Sequence, residues 1–285
     1  MKPYEQLTLR GKLRRLRGLA EDALRQFGVT AVCLRLIGTD PNLIYRVWAD
    51  DGQQFALRIA NPKWRGVESA VSEVMWLDAL ARDTDIPVPC IQRTPAGEAI
   101  VFPQAVGVPT DRHAVLMRWL PGVLLGKRLT AKNSAKMGEL FGKLHRQGAN
   151  WQPPDGFTTK KFDQMLSRGE PNVLFAESSL AAYDAQTETL LRQMSEDVAQ
   201  TYAALDRADS RVIHCDLWHD NIKIHRGQLY PFDFEDTIWG FRLHDVAMAM
   251  LDLYEDVGNP EAYARLLAAF RAGYEAFLPW PEGEM

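Results

Sequence analysis

The sequence predicts an α+β fold in two lobes, with a β-rich N-terminal half and a mainly helical C-terminal half. Residues 29–37, 43–49 and 54–60 are rich in β-branched and aromatic residues, which is typical of strands. The turn at residues 50–52 joins the last two as a hairpin. After Pro121-Gly122, long helical patterns replace the strands. These observations predict two lobes with a cleft between them.

The remaining elements follow from the spacing of apolar residues. Apolar side chains that recur at helical spacing mark the helices, and short β-branched runs mark the strands. Further strands are expected near 99–102 and 114–120, and short β-like runs between 212 and 234. The predicted helices span residues 11–27, 67–80, 131–147, 182–205, 243–254 and 260–277.

Composition bounds the class of protein. The chain has 285 residues, 46% of them hydrophobic and 25% charged, with a net charge of −4. That balance argues against disorder and against a broad basic surface for nucleic acid. Cys33, Cys90 and Cys215 form no zinc or disulfide pattern, which favours a reducing compartment. With no apolar leader and no run of about 18 apolar residues, we expect a cytoplasmic protein without a membrane span. The oligomeric state is not indicated.

The segment from 212 to 237 carries the most chemistry. It contains Asp216, then Asn221 five positions later, then Asp233. Phosphoryl transfer needs a carboxylate that accepts the proton of the attacking hydroxyl, and oxygen ligands that hold Mg²⁺ against the phosphates. Carboxylate and amide oxygens suit this hard cation. Asp216 is therefore the candidate catalytic base, and Asn221 and Asp233 are the candidate metal ligands.

Two stretches resemble a known family. HCDLWHDN (214–221) resembles the catalytic loop of kinase-like phosphotransferases, and FDFEDT (232–237) resembles their metal-binding segment. The pair HxDxxxxN and DFED is most similar to the aminoglycoside phosphotransferase/choline kinase family. The resemblance implies a protein-kinase-like fold, with a nucleotide-binding lobe at 1–120 and a catalytic and substrate-binding lobe at 121–285. It also implies that Asp245 is a buried scaffold for the loop, and we expect His214 to be structural.

The same resemblance assigns nucleotide-binding residues in the N-terminal half. Arg58 stands on the third strand where a kinase has lysine, and Glu73 on the next helix is its implied partner. Lys63 is an alternative phosphate ligand, and a surface ion pair is the alternative for Arg58 and Glu73. A GxGxxG loop is absent, so backbone N–H groups near Asn42 are candidates, with a simple β-turn equally favoured.

The segment AVLMRWLPG (114–122) resembles the family's hinge. Adenine would bond backbone groups near Arg118 and Leu120, with Met117 behind it. Trp119, Trp218 and Trp239 are expected in the core or at its rim more than in a substrate pocket.

The implied reaction transfers the γ-phosphoryl group of ATP, with Mg²⁺, to a hydroxyl of a small molecule such as an aminoglycoside, choline or homoserine. Acidic residues mildly favour a cationic acceptor: Glu235, Asp236, Asp252 and Glu255. The chain ends soon after its last helix, from which we expect a smaller, more open or partner-completed acceptor site. The alternatives are a protein Ser/Thr kinase, an inactive ATP-binding regulator, and a metal-dependent hydrolase using His214, Cys215 and His219.

Overall fold

The computed structural model describes residues 2–167 and 171–281. Residues 1, 168–170 and 282–285 lie outside this description. The first and last residues of the two predicted lobes, 1 and 285, are among them. The described chain forms two compact units. The first is Met1–Val123, Pro153–Thr158 and Lys223–Glu235, and the second is Leu124–Gln152, Thr159–Ile222 and Asp236–Met285.

The first unit is built on an antiparallel sheet. Its order is β1-β2-β3-β6-β4, with β5 also paired to β6. The strands are β1 (Ala31–Gly38), β2 (Leu43–Ala49), β3 (Gln54–Ile59), β4 (Ile91–Gln92), β5 (Ile100–Val101) and β6 (Ala114–Arg118). Along β2, buried and half-buried residues alternate, as expected for a strand with one face in the core.

Two helices accompany this sheet, α1 (Leu9–Gln26) and α2 (Val67–Asp83). The Thr8 hydroxyl caps α1 by accepting a hydrogen bond from the Gly11 N–H. Leu19 of α1 is fully buried in one apolar cluster with Val47 and Leu57 of the sheet. Burial of this apolar face, more than helix propensity, stabilises α1.

The second unit is mainly helical. Its helices are α3 (Ala131–Asn150), α4 (Glu177–Leu180), α5 (Ala185–Ala204), α6 (Arg242–Val257) and α7 (Pro260–Glu275). Strands β8 (Ser210–Ile213) and β11 (Ile238–Phe241) pair antiparallel. Helices α3 and α7 approach closely because each has a glycine at the contact. A Cβ at Gly138 would overlap the Phe270 carbonyl, and a Cβ at Gly273 would overlap the Ala135 carbonyl.

A small sheet contains two strands from the segment 212–237 and one earlier strand, in the order β10-β9-β7. Its strands are β7 (Val123–Leu124), β9 (Ile222–His225) and β10 (Gln228–Pro231). The turn between β9 and β10 has positive φ at Arg226 and Gly227. The two strands that it joins are among the short β-like runs predicted between residues 212 and 234.

The predicted elements are found with shifted ends. The strand expected at 114–120 ends at Arg118, and the helix expected from 182 begins at Ala185, after Asp184 caps it. The short strand Ile91–Gln92 was not predicted, since two residues give no readable alternation. In the described part of the chain, every helix is too short or too polar to cross a membrane.

Candidate active site

A buried ion pair lies on β3 and α2 of the first unit. The Arg58 guanidinium donates hydrogen bonds to both carboxylate oxygens of Glu73. The two side chains are 7% and 2% exposed, so the alternative of a surface pair does not apply. Burial opposes the charge on Arg58, but the attraction of Glu73 and nearby carboxylates outweighs it and holds the pKa of Arg58 above its usual value.

A second carboxylate, Glu235, joins this pair. It lies 3.4 Å from Arg58 Nη1, and it accepts hydrogen bonds from Asn42 Nδ2 at 2.6 Å and Trp64 Nε1 at 3.0 Å. The Asn42 carbonyl oxygen in turn accepts from the Asn61 N–H at 2.9 Å. Glu235 is thus engaged by several donors, which favours a scaffold role over binding a cationic acceptor. The sequence offered no signal for these contacts, because their partners are 171 to 193 positions apart.

A cavity of about 290 Å³ opens beside this cluster within the first unit. It is lined by Arg58, by the predicted hinge residues Met117, Arg118 and Leu120, and by Asp233. The cavity therefore brings the candidate phosphate ligand, the candidate base-binding strand and one candidate metal ligand to one place. Asn42 and the exposed Lys63 are not among its lining residues.

The lining of the cavity also includes Trp119 and Lys223. Two cations approach the centre of the Trp119 ring, the Arg46 guanidinium at 4.3 Å and Lys223 Nζ at 4.0 Å. Sequence reasoning favoured a core or rim position for Trp119 and missed Lys223. Lys223 alternates with Ile222 and Ile224 on β9, a pattern that normally places lysine in solvent.

Asp233 adopts a backbone conformation that suits few residues. Its φ is +66°, and its side chain is 45% exposed and lies 4.0 Å from Arg58 Nη1. Cys215, directly before Asp216, has φ of +69°. Such left-handed conformations in residues other than glycine cost free energy and concentrate at functional sites. Among the described residues, two of the four cases lie in the two segments that the sequence singled out.

Asp216 and Asn221 contact each other in the second unit. Asn221 Nδ2 donates to the Asp216 backbone carbonyl and to the Asp216 carboxylate, both at 2.8 Å. This pairing orients the carboxylate and commits the amide nitrogen of Asn221. The amide oxygen of Asn221 is then the atom suited to a cation.

The loop that carries Asp216 is supported by Asp245, as the resemblance implied. Asp245 is 1% exposed and accepts from the Cys215 N–H at 2.7 Å. Its other oxygen lies 2.9 Å from His145 Nε2, and His145 Nδ1 lies 2.9 Å from the Tyr274 hydroxyl. Burial would raise the pKa of Asp245, but the hydrogen bond and charge of His145 keep it below its usual value.

The histidines and cysteine of this loop have separate partners. His214 is fully buried, and its Nδ1 lies 3.4 Å from the Asp216 N–H. Cys215 Sγ lies 3.7 Å from His244 Nε2, and His219 Nε2 lies 2.7 Å from the Asp256 carboxylate. These directions differ, which argues against one soft metal site built from the three.

The sequence matches the profile of the phosphotransferase enzyme family over residues 38–280. The chain belongs to this family. The predicted resemblance is confirmed, and the protein is a phosphotransferase enzyme, as expected. No curated protein matches the sequence significantly.

Solved structures with the same fold include three kinases of small molecules. A microcompartment-associated aminopropanol kinase superposes with a TM-score of 0.74 at 23% identity, covering 92% of this chain and 81% of that one. An amicoumacin kinase in complex with AMP-PNP, Ca²⁺ and Ami gives 0.74 at 17%, covering 96% and 81%. An aminoglycoside phosphotransferase from Streptomyces rimosus, in complex with ADP and streptomycin, gives 0.59 at 16%, covering 94% and 92%. These likenesses confirm the predicted α+β kinase-like fold.

Proposed function

We propose that this phosphotransferase transfers the γ-phosphoryl group of ATP, with Mg²⁺, to a hydroxyl of a small cationic molecule such as an aminoglycoside, choline or a homoserine-like amino alcohol. The observation that carries the proposal is the cavity that Arg58, the hinge strand and Asp233 line together. Neighbouring kinases of this fold bind AMP-PNP or ADP, which supports use of a nucleotide here.

In this proposal the first unit binds the nucleotide. Arg58 contacts the phosphates, and its planar guanidinium can bond two phosphate oxygens at once. Glu73 fixes the position of Arg58 through the buried pair. The backbone at Arg118 and Leu120 bonds the base, and Met117 packs behind it. Asn42 acts through its bonds to Glu235 and Asn61, which hold the strand ends beside the phosphate ligand.

The second unit supplies the base for the acceptor. The Asp216 carboxylate accepts the proton of the attacking hydroxyl as the new oxygen–phosphorus bond forms. Asn221 orients that carboxylate by its hydrogen bond to Oδ2. Positioning of this kind accounts for a large part of the rate in phosphoryl transfer.

Asn221 and Asp233 each carry a donor atom of a type that suits a magnesium ion. One is an amide oxygen and the other a carboxylate, and both are the hard ligands that Mg²⁺ prefers. The part-exposed Asp233 carboxylate faces the same cavity as Arg58. When bound, Mg²⁺ would neutralise charge that develops on the transferred phosphoryl group.

A cluster of carboxylates on α6 supports a cationic acceptor. Burial raises the pKa of Asp252, with Glu255 and Asp256 adding to the effect and His219 opposing it. Asp252 lies three and four positions before Glu255 and Asp256 on α6, so the three share one helix face, and His219 Nε2 lies 2.7 Å from the Asp256 carboxylate. A cation bound there would relieve their mutual repulsion.

The test is an acceptor screen with radiolabelled ATP and Mg²⁺. Aminoglycosides, choline, amino alcohols and homoserine are compared with neutral and anionic hydroxyl compounds and with Ser/Thr peptides. We expect a phosphorylated product from at least one small cationic acceptor, and we expect chelation of Mg²⁺ to abolish it.

Each alternative has its own outcome in this screen. Transfer to peptides alone would replace the proposal with a protein Ser/Thr kinase. ATP binding without transfer to any acceptor would favour a regulator. Bound zinc without ATP affinity would favour a hydrolase. The cytoplasmic location stays a prediction from the sequence.

A further inference from the structure

The residues His219–Asn221 form a short 3₁₀ turn that follows Asp216 in the second unit. The Asn221 N–H donates to the Trp218 carbonyl at 3.0 Å, and the Asn221 side chain donates to the Asp216 carboxylate at 2.8 Å. The candidate metal ligand and the candidate base are therefore joined through this turn. A displacement of the turn would move the Asn221 amide and release the carboxylate that it orients.

The His219 ring on this turn is closely enclosed. It is 1% exposed and lies against Gly126. A Cβ at Gly126 would overlap the Asp220 carboxylate and would lie 2.8 Å from His219 Cδ2. In such close packing the ring cannot shift without its neighbours, so the position of the His219 ring is coupled to the position of the turn.

Asp256 is the carboxylate that orients this ring. His219 Nε2 lies 2.7 Å from Asp256 Oδ2, and within the described part of the chain His219 Nδ1 has no hydrogen-bond partner. One hydrogen bond therefore orients a buried imidazole, and loss of its acceptor would leave both ring nitrogens unsatisfied. The Asp256 side chain is itself 57% exposed, so its removal would open no cavity in the core.

Both ends of the loop around Asp216 are held by carboxylates of one helix. Asp245, in the first turn of α6, accepts from the Cys215 N–H, and Asp256, in the last turn, meets His219. Positions 245 and 256 are separated by roughly 16 Å along the helix axis. Helix α6 thus contacts the loop at two points, one before Asp216 and one after it.

We propose that Asp256 and His219 are positioning residues for phosphoryl transfer. Asp256 orients the His219 ring, and the ring fixes the turn from which Asn221 reaches the metal and the Asp216 carboxylate. The inference rests on the proposed function, since that function gives Asp216 and Asn221 their roles. The proposed nucleotide contacts belong to the first unit, so binding of the nucleotide without metal should not depend on Asp256.

The experiment compares Asp256→Ala and Asp256→Asn with the control Glu261→Ala, an exposed carboxylate in the first turn of α7. Transfer is measured with the small cationic acceptor that reacts fastest in the screen, and electron paramagnetic resonance follows Mn²⁺ binding to the AMP-PNP complex. Residues that orient a metal ligand typically contribute 10- to 100-fold, so Asp256→Ala should lose about tenfold in kcat and in Mn²⁺ affinity. Its affinity for metal-free AMP-PNP should be unchanged. Asp256→Asn retains an oxygen that accepts from His219 and should keep most of both quantities, and the control should keep all.

A further variant tests whether the two residues act through one hydrogen bond. His219→Phe keeps a ring in the enclosed site but cannot bond Asp256, so it should show the same losses as Asp256→Ala. Adding Asp256→Ala to His219→Phe should then cost nothing more, because the interaction is already absent. This variant also carries the test should Asp256→Ala not fold.

Unchanged kcat and Mn²⁺ affinity in Asp256→Ala would overturn the inference, and so would equal losses in Asp256→Ala and Asp256→Asn. A further loss on adding Asp256→Ala to His219→Phe would also contradict it, because Asp256 would then act on another group. Absence of any Mg²⁺-dependent transfer by the unmodified protein would instead contradict the proposed function, which separates the two failures.

Discussion

Two buried polar clusters, one in each unit, differ in how completely they are closed. Around Asp245, the carboxylate oxygens meet the Cys215 N–H and His145, whose other nitrogen meets Tyr274, and the three side chains are almost fully buried. Around Arg58, buried Glu73 is joined by a carboxylate that is 45% exposed, Asp233, beside a cavity. The first cluster is closed to solvent, and the second opens onto the cavity.

This difference indicates that one cluster supports the backbone and the other contacts a ligand. A closed network of hydrogen bonds fixes a backbone segment, here the loop before Asp216. An open cluster with a cation facing a cavity provides a ready contact for an anion. Removing a member of the closed cluster should therefore lower the stability of the fold. Removing Arg58 from the open cluster should instead lower the affinity for nucleotide.

The largest stability effect is expected for Asp245→Ala. The change leaves the Cys215 N–H and His145 buried without their acceptor, which should lower the free energy of unfolding by about 3–5 kcal/mol. Denaturant unfolding measures this. The control is Glu275→Ala, which removes a surface pair with Arg271 whose partners are 56% and 40% exposed, and it should cost less than about 1 kcal/mol. Equal losses in the free energy of unfolding for the two variants would contradict the claim that the buried Asp245 cluster stabilises the fold more than a surface pair does.

The double change Arg58→Met/Glu73→Met tests the open cluster, where the expected loss is in nucleotide affinity. Replacing both partners of a buried pair by apolar groups often leaves stability nearly unchanged, whereas Arg58→Met alone leaves Glu73 unpaired. We expect the double variant to unfold much closer to the unmodified protein than Arg58→Met alone does, since Glu235 keeps its hydrogen bonds to Asn42 and Trp64, and to bind nucleotide about 10- to 100-fold more weakly. Unfolding curves and nucleotide titrations give the two quantities. Unchanged nucleotide affinity would show that Arg58 is a structural cation only.

The smallest expected effect is on the pH dependence of stability. It arises from His113, which is influenced by Arg58 of the open cluster. Burial, and then the charge of Arg58, lower the pKa of His113 from 6.5 to about 4. Between these values the unfolded chain binds a proton that the folded chain does not, so stability falls as the pH is lowered through this window. For Asp245, whose pKa is also lowered, the loss begins only below its unfolded value of 3.8.

His113→Gln tests this assignment through the free energy of unfolding measured from pH 7 to pH 4. The variant should show a shallower slope in that window than the unmodified protein. A slope that does not change would assign the acid sensitivity to other groups.

Much of the fold could be predicted because its elements have clear periodicity. The alternation of β2 and the hairpin turn at Gly52 fix the sheet locally. Loop conformations are harder to predict, because no residue type near Cys215 indicates that its φ is +69°. The hydrogen-bond partner of this residue is also distant, since the Asp245 carboxylate that accepts from the Cys215 N–H is 30 positions away.

The candidate site was predictable where spacing carries the chemistry, as for Asp216 and Asn221, which do contact each other. It was not predictable where a side chain reaches its position through distant partners. Glu235 bonds Asn42 and Trp64 across most of the chain, and Lys223 meets a carbonyl 103 positions earlier. Such contacts depend on tertiary packing that no local pattern records.

The most direct test of the proposed mechanism is Asp216→Asn, with nucleotide affinity and phosphoryl transfer measured on the same preparation. The control is Asp155→Asn, an exposed aspartate in a loop of the first unit. We predict that Asp216→Asn loses about 10²- to 10⁴-fold in kcat, that its nucleotide affinity stays nearly unchanged, and that the control behaves like the unmodified protein. A variant that keeps its rate would contradict the assignment of Asp216 as the base.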